Sequence, residues 1–279
     1  MLLPKLCIVI LSFSLSSAWA QSQTDDNWDC EQIHCQKQKE KTVFSKIDIS
    51  SHASSRKMID ALMARNLKLA LFGGGAWILH GQNQTINIDS AASDYFSVNH
   101  TNSNTGIVGA GFYLDNLELR NKRFTVQYTA TAFYLPVTRI FGSGTLGETA
   151  SNFTYDFSVG YLPTLFGLKF TDKPVEKPYH VTIDLGLGFD TLFVSGFHGT
   201  NVVPPTVPDY FAKNTDYSLA ATAGVGFKVY PSAYSIPIEI GYRFFYLGQG
   251  HLPAIYPALG PLGTGYNYAN VVMLTLELG

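Results

Sequence analysis

Eight stretches between Leu67 and Gly279 alternate large apolar residues with small or polar ones at a period of two. Successive side chains of a strand point to opposite faces, so each stretch reads as a β-strand with one apolar side. Residues 236–250, IPIEIGYRFFYLGQG, show the pattern most plainly. Ile236, Ile238, Ile240, Tyr242, Phe244 and Tyr246 share one side; Pro237, Glu239, Gly241, Arg243 and Phe245 share the other. The remaining seven span residues 67–79, 106–117, 122–135, 152–162, 180–190, 217–230 and 266–279. In the fourth, the apolar set is Phe153, Tyr155, Phe157, Val159 and Tyr161.

The connections alternate too. Long ones cover 80–105, 136–151, 191–216 and 248–265, and short ones cover 118–121, a Pro-containing stretch around 171–179, and 231–235. Long and short in turn is the signature of an up-and-down antiparallel barrel, with external loops on one rim and tight turns on the other. Both ends of the barrel then lie on the short-turn side.

Such a barrel turns its apolar faces either inward around a ligand or outward to lipid. Three observations choose lipid. No Asp, Glu, Lys or Arg falls on the apolar side of any of the eight strands, and Arg or Lys at the bilayer midplane costs ~2–4 kcal/mol. The opposite side is Gly, Ala, Ser and Thr with sparse charges, which suits the narrow lumen of eight strands and not a water-facing surface. Aromatics gather where strands meet the long loops (Trp77, Tyr134, Phe153, Tyr155, Tyr217, Phe244, Tyr246, Tyr266 and Tyr268), as an interfacial girdle would. The expected fold is all-β: a transmembrane up-and-down antiparallel β-barrel of eight strands over residues 67–279.

The leader fits this destination. Lys5 precedes an apolar run from Leu6 to Leu15, and Ala18-Trp19-Ala20 supplies a small-x-small cleavage pattern, so residues 1–20 read as a secretory signal cut near Ala20. Loss of Lys5 takes 19 basic residues to 18 against 21 acidic, a net charge of −3, which argues against nucleic acid as a partner. Charged residues make up only 14% of the chain against ~25% in soluble domains. Residues 21–66 form a polar extension on the periplasmic side, with one amphipathic segment at 55–66. Cys30 and Cys35, in WDCEQIHC, read as a local disulfide in an oxidising compartment.

Residues 224–250, GVGFKVYPSAYSIPIEIGYRFFYLGQG, resemble the late hairpin of eight-stranded outer-membrane barrels of the opacity and OmpA/OmpX-like type. The resemblance covers about residues 67–279. It implies the outer membrane of a Gram-negative bacterium, outer-membrane lipid and lipopolysaccharide as surroundings, and a structural or adhesion-like role carried by long external loops toward a host or cell-envelope surface. Members of that type end in an aromatic residue, whereas this chain ends Leu276-Glu277-Leu278-Gly279.

Two alternatives stand beside that role. One is a lipid A-modifying enzyme, for which His100 and Ser103 in NHTNSN are the nearest approach to a catalytic pair. The other is a narrow channel for small apolar solutes. No enzyme activity, cofactor or metal is expected. The apolar, Pro-rich stretches 200–211 and 251–266 are expected to pack over the barrel mouth. Inside the lumen, the turn at 231–235 sets Lys228 opposite Glu239 and Arg243 opposite Gly224. Lys228 and Glu239 are expected to form an ion pair, and Lys68 is expected near Glu277 at the lower rim.

Overall fold

A computed structural model of the chain describes residues 67–278 except 90, 91, 101, 117–123, 146–151, 173–178, 202–209, 231–235 and 256–258. The signal, the 21–66 extension and Cys30–Cys35 lie outside the described residues. The strands are β1 (Leu67–Leu79), β2 (Gln84–Asp89), β3 (Ala92–His100), β4 (Asn102–Asn116), β5 (Phe124–Thr145) and β6 (Asn152–Asp172), then β7 (Tyr179–Asn201), β8 (Asn214–Val229), β9 (Ile238–Gly248), β10 (His251–Leu252), β11 (Leu262–Gly263) and β12 (Asn267–Leu278).

Eight of them close into a ring in chain order, β1-β4-β5-β6-β7-β8-β9-β12, with β12 returning to β1 and every pairing antiparallel. Closure leaves the ring no edge strand. The apolar sides expected for seven of the eight strands face outward, and residues such as Leu187, Leu219 and Ile240 are at least 60% exposed.

Three strands are far longer than the alternation suggested. β5, β6 and β7 run for 22, 21 and 23 residues, so most of the expected loops at 136–151 and 191–216 is strand. They rise past the ends of β1, β4, β8, β9 and β12. The first expected loop contributes the hairpin β2–β3, and β3 pairs with the upper end of β5, from Tyr95 opposite Thr145 to His100 opposite Phe141. Together these strands build a lobe above one rim of the ring.

Two irregularities shape it. Pro136 cannot donate to a ladder, and the β5–β6 pairing skips between Leu135 and Thr138. The inward set of β5 therefore changes from odd positions (Phe133, Leu135) to even ones (Thr138, Ile140). On β7 the pairing to β6 shifts between Asp156 and Ser158, where Gly196 supplies a left-handed φ of 69°.

The fourth expected strand requires correction. Phe153, Tyr155, Phe157, Val159 and Tyr161 face inward and are at most 3% exposed. The outward residues of the lower half of β6 are Leu162, Thr164, Phe166, Leu168 and Phe170, opposite the outward residues of β5 and β7. Phe153 and Tyr155 belong to no interfacial girdle. With Phe96, Phe197 and Phe211 they form an aromatic core of the lobe, at centroid distances of 4.8–6.0 Å for Phe197–Phe211, Phe96–Tyr155, Phe96–Phe153 and Phe96–Phe211. Phe211 and Leu252, from the two Pro-rich stretches, are buried in the same core, and Phe211 bridges to Ala254. Of the described residues in those stretches, Phe211, Leu252, Leu262 and Thr264 are buried, while Ile255 and Tyr266 are exposed.

Candidate functional site

The outward faces of β5, β6 and β7 change character along their length. On β5, Tyr128, Tyr134 and Val137 give way to Arg139, Ser143 and Thr145; on β6, Phe170, Leu168 and Phe166 give way to Ser158, Asp156 and Thr154. On β7, Val181 through Leu187 and Phe193 give way to Ser195, His198 and Thr200. The apolar band encircles the ring, and on these three strands the outward residues above it are mainly polar, with Phe141 the exposed exception. Water tolerates the second surface and hydrocarbon the first. This is a transmembrane β-barrel. A change from lipid to water at one level of three adjacent strands marks the membrane boundary and puts the lobe outside it.

The barrel is filled at its lower level by charge. Lys169 on β6 contacts Glu239 on β9, lies 3.6 Å from Glu277 on β12 and 4.0 Å from Asp184 on β7. Lys228 Nζ lies 2.5 Å from Glu277, and Arg243 lies 3.1 Å from Asp184. Thr182 Oγ1 donates to Glu239 Oε1 at 3.0 Å. Three cations thus face three carboxylates, all deeply buried, and the cluster is neutral as a unit. Aromatic rings complete it: Lys169 Nζ stands 4.9 Å from the Tyr113 ring, and the Arg243 guanidinium lies over Phe72 at 5.3 Å.

The register of the 231–235 hairpin is the expected one, with Lys228 opposite Glu239 and Gly224 opposite Arg243. The ion pairs differ. Glu239 is held by Lys169 and Thr182, while Lys228 is held by Glu277. Gly226 explains the exchange, since a Cβ there would lie 2.8 Å from Glu239 Oε1 and 2.7 Å from Thr182 Oγ1. The missing side chain lets the Glu239 carboxylate cross β8 toward β6 and β7. Gly224 does the same for Arg243, whose Cγ would be 2.5 Å from a Cβ. The expected approach of Lys68 to Glu277 is also replaced. Ala70, not Lys68, is the register partner of Glu277, and Lys68 Nζ pairs with Asp115 at 3.4 Å. Lys169, the cation contacting the most carboxylates, was missed because the fourth strand was ended before Pro163. The alternation of TLFGLKF (164–170) was the signal available for it.

Above this cluster, Tyr161 donates to Asn267 Oδ1 at 3.1 Å, and Asn267 Nδ2 donates to the Gly248 carbonyl and to Thr264 Oγ1, both at 2.9 Å. Ordered side chains thus fill the lumen at two levels.

The expected His100–Ser103 neighbourhood resolves differently. His80 Nε2 lies 2.8 Å from Ser103 Oγ, and that hydroxyl donates to the Arg139 carbonyl at 3.4 Å. The Ser103 hydroxyl thus lies between the His80 imidazole and a main-chain carbonyl. His80 Nδ1 is buried without a partner among the described residues, so no carboxylate orients the ring. His80 follows β1 at the lobe boundary, where burial lowers its pKa from 6.5 to about 4. The unfolded chain then binds the extra proton first, so stability is complete above pH 6.5 and is lost as pH falls toward 4. Unfolding free energies from urea titrations in detergent should fall over that range, by on the order of 2 kcal/mol, and His80→Gln should flatten this part of the profile.

No protein-family model and no curated protein matches the chain. Among solved structures it is similar to Neisserial surface protein A, with 6% identity and a TM-score of 0.40 over 76% of this chain and 96% of that one. It is also similar to the outer-membrane protein OprG of Pseudomonas aeruginosa, with 12% identity and a TM-score of 0.44 over 76% and 95%. A third is Ail, the attachment invasion locus protein of Yersinia pestis, with 10% identity and a TM-score of 0.31 over 76% and 98%. The barrel itself stands on the chain's own strand pairings.

Proposed function

We propose that this chain is an integral outer-membrane barrel of a Gram-negative cell, and that its folded outer lobe is a surface-interaction module. Lipid and lipopolysaccharide surround the apolar band, and the lobe meets a host or cell-envelope partner. One observation carries this reading: the outward faces of β5, β6 and β7 turn polar at one level while their inward faces stay aromatic and packed. A lobe with its own core is a rigid platform, and rigid scaffolds position binding residues better than mobile loops. The channel alternative is disfavoured because charge and aromatic rings fill the lumen. The lipid A-enzyme alternative is disfavoured because His80 Nδ1 is buried without a partner among the described residues, so no acid orients the imidazole beside Ser103.

Membrane-impermeant maleimide on intact cells tests the placement, with Cys30 and Cys35 replaced by Ser. Ser195→Cys and Thr200→Cys should label, and Val181→Cys in the apolar band should not. Equal labelling of Val181→Cys, or none at Ser195→Cys, would remove the reading.

A further inference from the structure

The outward side of the lobe holds a cleft of about 470 Å³ lined by Asn99, Phe141, Thr154, Asp156 and Thr200, with Gly142 and the largely buried Tyr155 at its floor. That volume lies in the ~300–1,000 Å³ range of small-molecule sites. Register brings the lining together. Phe141 on β5 is the direct cross-strand partner of Asp156 on β6, and Thr154 on β6 is the partner of Thr200 on β7. Two pairing irregularities flank the same spot: β3 shifts against β5 between Val98 and His100, and β6 shifts against β7 between Asp156 and Ser158. Such bulges re-aim side chains beside binding sites. Ser143 Oγ donates to Asn99 Oδ1 at 3.3 Å, which leaves the two amide N–H groups of Asn99 for a ligand.

The lining sets the ligand's chemistry by what it holds. Asp156 is an acceptor, the Asn99 amide is a donor, and Thr154 and Thr200 are both. Phe141, 43% exposed, offers a flat apolar surface. A cleft lined, among the described residues, without Lys or Arg does not neutralise phosphate or sulfate, and Asp156 repels any anion. One carboxylate is too few for a calcium or magnesium ion. A ring with an apolar C–H face and an edge of hydroxyls satisfies every group present. We propose that the cleft binds a neutral saccharide, its ring stacked on Phe141 and its hydroxyls bridged between Asp156 and Asn99. This assignment rests on the lobe being an extracellular binding surface.

The full chain in detergent micelles would be applied to immobilised glycans, with neutral hexopyranose, sialylated and sulfated panels side by side. Neutral glycans should be retained over charged ones. Phe141→Ala and Asp156→Asn should each lower retention at least tenfold, with both variants still migrating as heat-modifiable folded barrels. Two further arms separate the sources: O-polysaccharide from the protein's own cells and neutral glycans released from animal cells. Retention of either supports the site. No retention on any neutral panel, equal retention on sulfated glycans, or undiminished binding by both variants would overturn it. Maleimide labelling of Ser195→Cys on intact cells is independent of sugar. Labelling without glycan binding ends the saccharide assignment alone, and loss of labelling ends the surface reading beneath it.

Discussion

Replacing Lys169 with methionine is expected to produce the largest loss of barrel stability of any single change to the lumen. Its ammonium sits among Glu239, Glu277 and Asp184, with no exposure to water. Removing it leaves three buried carboxylates facing Lys228 and Arg243 alone. Breaking a buried pair by deleting one partner costs ~3–5 kcal/mol, because the remaining charge is left uncompensated. Lys169→Met should therefore lower the urea midpoint in detergent strongly, or leave the chain unable to reach the heat-modifiable folded form. Adding Glu239→Gln should restore part of the loss, since neutrality returns and the amide can still accept from Thr182. The same Glu239→Gln change placed on Lys228→Met should recover less, because Lys228 is paired to Glu277 at 2.5 Å and not to Glu239. A larger coupling of Glu239 to Lys228 than to Lys169, read from the two double-mutant cycles, would contradict the observed network.

The ring was legible in the sequence because lipid demands a clean apolar face and a period of two supplies it. The hairpin register was legible for a similar reason: a short turn fixes partners at constant sum, so Lys228–Glu239 and Gly224–Arg243 follow from arithmetic. The partners that side chains choose across the lumen were not, because glycines decide them. Gly226 opens a path for Glu239 over β8, and nothing in a linear pattern says which neighbour's charge lies beyond. The lobe was hidden by a change of phase. In β6 the large apolar residues occupy odd positions from Phe153 to Tyr161, then even positions from Leu162 to Phe170. Such a break invites the reading that one strand stops near Leu162, and Pro163 strengthens it. The backbone keeps its parity throughout. What changes is the surroundings: below the boundary the outside is hydrocarbon and the apolar residues point out, and above it the outside is water and they point in. An apolar phase flip without a bulge is the mark of a strand leaving the membrane.

That account makes the second large expected effect, at Phe157. Its ring is 1% exposed and stacks near Tyr155 at 6.2 Å, in the core shared with Phe96 and Phe211. Phe157→Asp removes a core aromatic, which costs ~3–5 kcal/mol, and places a charge in an apolar aromatic core, at several kcal/mol more. The lobe should open while the ring below keeps its own ladder and ion cluster, since local units can unfold separately. Limited proteolysis of the purified barrel should then cut within 136–160 or 191–201 and leave a protected core that still shifts on heating. Ser158→Phe is the mirror change. Ser158 points outward opposite Arg139 and Ser195, so an added ring meets water and stability should stay within ~0.5 kcal/mol. Were residues 153–161 the lipid-facing side of a membrane strand, the order would reverse: Ser158→Phe would force a ring into a packed lumen, and Phe157→Asp would meet only bilayer. Proteolysis of the Ser158→Phe protein alone, with Phe157→Asp resistant, would return these residues to the membrane and dissolve the lobe as a folded unit.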